Sequence, residues 1–257
     1  MNPFQRILTV WRRNLDVYLV TWKVNFLPPL LEPMFYLLAF GAGLGGFVKV
    51  IPYRGGEVGY TSFIAPGMIG ISVMFSSFFE CTYGSYIRMY YQKTFDAIIA
   101  TPLSLEEVIL GEILWGATKS FISVTIMCVV VRAFGFMQFP DLIALPFVAF
   151  LGGLFFASVA MCFTSFTPGI DAFNYPIFLF ITPMSLFGGT YFPIEGLPAW
   201  AQQVAVFMPL THLTSVTRSI AFGHWDMGVF VRLAGFAALV APLMILAVRL
   251  MKRRLIV

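Results

Sequence analysis

Residues 88–112 read RMYYQKTFDAIIATPLSLEEVILGE, a polar interval between two long apolar segments. Six of them carry a formal charge: Arg88, Lys93, Asp96, Glu106, Glu107 and Glu112. Such an interval cannot cross a bilayer, but with its flanking tyrosines it is amphipathic. It can lie on the membrane surface and present a shape to a soluble partner. Pro102 pushes Thr101 toward an extended conformation, and Ser104 stands three residues before Glu107, the spacing of a capping box. The stretch predicts a short helix, a proline-marked turn and a new helix running straight into the membrane, which together make a mechanical joint. An ordinary polar loop is the alternative.

The rest of the chain fits a membrane setting. Of 257 residues, 59% are hydrophobic and 11% charged, and the mean hydropathy is +0.87. Soluble domains carry about 25% charged residues. The length allows roughly six spans of ~20 residues, in one transmembrane domain over 1–257. The net charge of +4 is no nucleic-acid signal, because its distribution matters more than its sum. Cys81, Cys128 and Cys162 each fall in an apolar segment without paired or metal-ligand spacing, and read as packing residues. No cleavable signal peptide is expected, since no compact apolar core precedes a small-residue cleavage site.

Working outward, residues 3–23 place Phe4, Ile7, Leu8, Trp11, Leu15, Tyr18, Leu19 and Trp22 on one helical face, with Arg6, Arg12, Arg13 and Asp16 largely opposite. This predicts an amphipathic interfacial helix over 1–23. Six spans follow at about 24–48, 60–89, 111–134, 142–165, 174–191 and 228–250, with a cytoplasmic region over 90–110. Pro28, Pro29 and Pro33 predict a bent entry to the first span. The segment 192–223 is too apolar for a free loop and too interrupted to span, with Pro193, Pro198 and Pro209 dividing it. Two short re-entrant helices between spans five and six fit it, if protein covers their backbone ends. Ten Lys and Arg fall on the N-terminal side (Arg6, Arg12, Arg13, Lys23, Arg88, Lys93, Arg249, Lys252, Arg253 and Arg254). Four (Lys49, Arg54, Arg132 and Arg218) fall opposite. That bias predicts both termini inside and 192–223 outside.

Enzyme signals are weak. Gly41, Gly43 and Gly46 have dinucleotide-turn spacing but no preceding strand, so close helix packing explains them better. There is no phosphate-binding loop with a lysine, so any ATP must bind a separate subunit. His212 and His224 lie twelve apart, and His224 with Asp226 reads as a solvated turn. The intramembrane charges say more. Glu32, Glu80, Glu112 and Lys119 are costly unless paired or wetted. Glu80 lies eight residues before Arg88 and Lys119 seven after Glu112, which puts both about 10–12 Å inside at ~1.5 Å rise per residue. One inner-leaflet charge cluster is the reading, with separate snorkelling residues as the alternative.

Two blocks give this sequence a family resemblance. One runs from Thr94-Phe95-Asp96 through Ala100-Thr101-Pro102-Leu103-Ser104 to Leu110-Gly111-Glu112. The other holds Gly188-Gly189, Phe192-Pro193, Leu197-Pro198-Ala199-Trp200, Pro209-Leu210 and Arg218. With the interfacial helix and six-span layout, the chain resembles the membrane subunits of type-2 ATP-binding-cassette exporters. Phe79-Glu80-Cys81-Thr82-Tyr83, Arg88-Met89 and the run Gly111 to Lys119 look most like the nodulation-factor (lipo-chitooligosaccharide) exporter permeases.

The resemblance implies a bacterial inner-membrane homodimer or pseudo-dimer docked on two ATPase subunits, which would hold ATP and magnesium; no cofactor or metal is expected in this chain. It implies that Phe95, Asp96, Thr101 and Pro102 touch the ATPase, and that an amphipathic cargo such as a lipooligosaccharide passes between protomers. Pro193, Trp200 and Pro209 are expected to shape an external gate. Alternative cargoes are a hydrophobic drug or an undecaprenyl-linked glycan. An intramembrane lipid-modifying enzyme is the competing class, and it lacks a convergent acid, base or nucleophile.

Overall fold

A backbone in lipid must satisfy its hydrogen bonds within itself, and this chain does so almost wholly with helices. The computed structural model describes residues 2–43, 45, 47–135 and 141–255, leaving aside the side chains at 32, 33, 37, 41, 42 and 141. Helix α1 spans Pro3–Val20; α2 spans Trp22–Tyr36 and passes into a π turn, Leu37–Gly43. Strands β1 (Val50–Tyr53) and β2 (Gly56–Gly59) follow. Then come α3 (Tyr60–Tyr91), α4 (Thr94–Ile99), α5 (Leu105–Ala133) and α6 (Ala144–Phe166). The chain ends with α7 (Ile170–Phe187), α8 (Ala199–Phe207), α9 (Pro209–Ala221) and α10 (Met227–Leu255).

Among the described residues, α3, α5, α6, α7 and α10 are long and apolar enough to cross a membrane. They match five of the six predicted spans. The remaining one, 24–48, falls on α2 and its π turn. With 15 residues, α2 alone reaches about 22 Å against a hydrocarbon core of about 30 Å. Gly46 of the glycine trio lies outside the described residues.

Helix α3 is the centre, packed on α5, α6 and α9. Of its most apolar stretch 78% is buried, against 17% for α10. Small residues permit the approach. A Cβ at Gly116 of α5 would sit 2.7 Å from Cys81 Sγ, and one at Gly153 of α6 would sit 2.9 Å from Ala117 Cα. Apolar attraction between helices is weak in lipid, so such close packing supplies much of the association. Cys81 and Cys128 are free thiols buried in this packing.

The segment 192–223 does form two short helices, and proline starts each piece. Pro193 and Pro198 precede a 3₁₀ turn and α8, and Pro209 opens α9 where its missing N–H costs nothing. Helix α9 lies on the N-terminal half of α3. There Pro66 removes a donor from the α3 ladder, and α9 supplies side-chain donors nearby. Thr217 Oγ1 donates to Pro66 O at 2.8 Å and Arg218 Nε to Phe63 O at 3.3 Å. The Arg218 guanidinium also donates to Gly189 O at 2.7 Å and stands over the Phe63 ring at 3.8 Å.

The β1–β2 hairpin is absent from the sequence reading. Its two-residue turn, Arg54-Gly55, has positive φ at both positions, 50° and 79°, which matches the twist of the flanking strands. Arg54 pairs with Asp226 at 2.9 Å. Asp226 is more than a solvated turn residue, because its carboxylate accepts from Val229 N–H at 3.0 Å and so caps α10. That N–H, with Arg54 nearby, holds the carboxyl below its ordinary range.

Helix α1 docks on the first half of α5. Trp11 Nε1 donates to Thr118 Oγ1 at 2.9 Å, Tyr18 meets Trp115 edge-on, and Val10 is buried against Gly111. A Cβ at Gly111 would stand 2.7 Å from Val10 Cβ. Gly111→Ala should therefore cost about 1–3 kcal/mol, the usual range for overpacking, and adding Val10→Ala should recover more than half of it. Thermal unfolding of the purified variants in detergent checks this. Losses that simply add would show that Val10 does not set the spacing.

Candidate functional site

The polar interval folds as a joint. Helix α3 runs on to Tyr91, Lys93 turns the chain with φ of 54°, and α4 follows. After the exposed turn at Thr101 and Pro102, Ser104 caps α5. Ser104 N–H donates to Glu107 Oε2 at 2.8 Å and Glu107 N–H to Ser104 Oγ at 3.4 Å. This is the reciprocal pair that the spacing predicted. Phe95 is 1% exposed and anchors α4 inward. Asp96, Thr101 and Pro102 are exposed on the joint, with Phe95 packed beneath them. Basic residues at the end of α10 grip the same region. Lys252 pairs with Glu106, and Arg254 Nε donates to Tyr90 Oη at 2.9 Å.

Along α5 from its cap lies the charge cluster. Glu112 is fully buried and Glu80 is 7% exposed. Arg88 joins them, with Nη1 2.8 Å from Glu80 Oε1 and Nη2 2.5 Å from Glu112 Oε2. Lys119 Nζ lies 2.7 Å from the other oxygen of Glu80. Neutral donors complete the shells: Trp115 Nε1 to Glu80 at 3.1 Å, Asn14 Nδ2 to Glu112 at 2.9 Å, and Ser85 Oγ to Glu112 at 2.6 Å. Two carboxylates and two cations therefore balance, with the hydrogen bonds that a buried ion pair needs.

The backbone of α3 is adapted to this. Its regular helix gives way to π turns at Glu80–Gly84 and Ile87–Tyr91, where an extra residue per turn re-aims side chains, as π turns often do at functional sites. Gly84 leaves room for the pair, since a Cβ there would stand 3.0 Å from Glu80 Oε1 and 3.4 Å from Arg88 Nη1.

The structure thus brings together Glu80, Glu112 and Lys119; the side chain of Glu32 lies outside the described residues. Arg88, Asn14, Ser85 and Trp115 were not expected in the cluster. The signal for Arg88 is its place eight residues, about two helical turns, after Glu80. On the far side, Trp200 of α8 is 62% exposed with its ring 6.1 Å from Phe187, while Pro193 and Pro209 start helical pieces and are partly buried.

Arg88 compensates two buried carboxylates and Lys119 only one. Arg88→Met should be the most damaging single change in the cluster, by about 3–5 kcal/mol. Lys119→Met leaves Glu80 with Arg88 and Trp115 and should cost clearly less. Thermal or denaturant unfolding in one detergent ranks the two; a larger loss in Lys119→Met would remove Arg88 as the hub.

Comparison with known proteins places this arrangement. The family model described as "ABC-2 type transporter" matches residues 5–222. Nodulation protein J of Rhizobium leguminosarum bv. trifolii is 37% identical over 97% of this chain and 94% of its own length. Nodulation protein J of Sinorhizobium fredii is 34% identical over 99% of this chain and 95% of its own. The inner membrane transport permease YadH of Escherichia coli is 18% identical over 80% of this chain and 79% of its own. A family match across most of the sequence, with relatives aligned nearly end to end, means that this multi-pass protein belongs to the ABC-2 type transporter family as a transport subunit rather than an enzyme.

Proposed function

We propose that this chain is the membrane-spanning subunit of an ATP-driven exporter that moves an amphipathic substrate, a lipooligosaccharide or similar glycolipid, out of the cytoplasm or inner leaflet. The observation that carries the proposal is the continuity of α5. It starts at the Ser104 cap beside the exposed joint and reaches Glu112 in the buried cluster without a break, eight residues or about 12 Å along the axis. A partner pressing on Asp96, Thr101 and Pro102 would move that rod and the α3 end paired to it. The subunits of this family work with an ATP-binding partner, and ATP and magnesium would sit there. The substrate class rests on the resemblance to nodulation-factor exporter permeases.

A homodimer of six-span subunits in a bacterial inner membrane fits the exposed apolar faces of α2 and α7, among them Leu27, Phe35, Phe178 and Leu179. In this reading α1 lies at the cytoplasmic surface, both termini are cytoplasmic, and α8 and α9 form the external re-entrant pair near Pro193, Trp200 and Pro209.

Two experiments test it. Asp96→Arg should lower substrate-stimulated ATP hydrolysis of the assembled transporter several-fold while membrane insertion stays normal; full stimulation with full export would remove the joint from coupling. A cysteine at Gln203, exposed on α8, should react with a membrane-impermeant maleimide applied outside intact cells stripped of their outer membrane. Reaction only after the cytoplasmic face is opened would reverse the topology.

A further inference from the structure

Between α1–α2 and the cluster end of α3 and α5 lies a cavity of about 420 Å³, with Arg13, Tyr18, Arg88 and Lys119 in its wall. It shares Asn25, Glu80, Gly84 and Lys119 with a second cavity of about 540 Å³, whose wall adds Pro28, Pro29, Phe75 and Phe79. The two adjoin across these shared residues as a cationic lobe and a largely apolar lobe. Each is of the size that small-molecule sites have.

The charges around the first lobe are unevenly used. Arg88 is committed to Glu80 and Glu112. Among the described residues Lys119 has one acidic partner, Glu80, for three ammonium protons. Arg13 Nη1 is buried and has no hydrogen-bond partner among the described residues, although buried polar groups are seldom left so. Burial holds the Arg13 guanidinium below its ordinary value, opposed by Glu112. Among the described residues three cations, Arg13, Arg88 and Lys119, stand against two carboxylates, Glu80 and Glu112. Arg13 and Lys119 both line the first lobe, and the adjoining lobe offers aromatic and proline surface suited to a hydrocarbon chain.

We propose that this two-lobed space binds one anionic amphiphile, a phosphate-bearing lipid, with its phosphate between Arg13 and Lys119 and an acyl chain along Pro28, Phe75 and Phe79. The site lies within one subunit, and the inference holds whether the lipid is cargo or a resident component. A free phosphate shares the headgroup chemistry but leaves the apolar lobe unused.

Native mass spectrometry of the full-length protein in detergent, offered equal amounts of dioleoylphosphatidylglycerol and dioleoylphosphatidylcholine, tests this. One phosphatidylglycerol per chain should be retained with a preference of about tenfold, equivalent to ~1.4 kcal/mol. Arg13→Gln should bring the preference close to parity, and Arg13→Lys should keep most of it. Val17→Trp fills the mouth of the cationic lobe from an exposed position of α1 and leaves every charge in place. It should also abolish retention, which separates pocket binding from general surface attraction. Inorganic phosphate in large excess should compete poorly; if it displaces the lipid fully, the site takes a free anion and the lipid assignment fails. Equal retention of the two lipids by the unmodified protein, or a preference that survives in folded Arg13→Gln and Val17→Trp, would overturn the proposal.

Discussion

The constraint on which this structure turns is the desolvated charge of Glu112. A carboxylate with no exposed surface is tolerable only if its oxygens are matched by donors of opposite charge, because a medium of low dielectric punishes an unpaired ion far more than water does. Arg88 supplies the charge, while Asn14 and Ser85 supply neutral donors. These partners come from α1 and α3, so the need to neutralise one residue of α5 fixes three helices together. The second fork of Arg88 then recruits Glu80, and through it Lys119 and Trp115. Position in this part of the molecule is specified by electrostatics, which is directional. Apolar packing between lipid-embedded helices is not.

The opposite half of the bundle solves a related problem with different chemistry. Arg218 is 5% exposed, and its guanidinium is held by backbone carbonyls of Phe63 and Gly189 and by the face of the Phe63 ring. Gly67 makes this approach possible, since a Cβ there would stand 2.9 Å from Thr190 O and 3.1 Å from an Arg218 nitrogen. One end of α3 is thus tied by ion pairs and the other by charge–dipole contacts, and α3 is the most buried of the long helices. The ion-paired end is also the one whose helical ladder is interrupted by π turns. Local re-aiming of side chains and the joint that follows occupy the same few turns.

What could be read from the chain beforehand was whatever is encoded locally. The Ser104–Glu107 cap follows from a spacing of three residues, and the proline-divided helices at 199–207 and 209–221 from the place of each proline. Five long helices follow from runs of apolar residues. Depth counted along two helices even matched Glu80 to Lys119, because rise per residue is nearly constant. The hairpin at 50–59 was not legible: its strands are four residues each, and its turn uses Arg54-Gly55 where Asn-Gly or Asp-Gly would have announced it.

Only the tertiary structure decided that Arg88 stands at the centre of the cluster, that Asn14 crosses from α1 to complete Glu112, and that Phe95 points inward while Asp96 points out. Each of these depends on the angle at which one helix meets another. That angle is set by where glycine lets backbones approach, as Gly111 does for α1 and Gly116 for α3, and by π turns that shift the helical phase of α3. The sequence by itself determined which residues would have to be neutralised in the membrane. Which partners neutralise them is a matter of geometry between elements far apart in the chain, and periodicity within any single element carries no record of it.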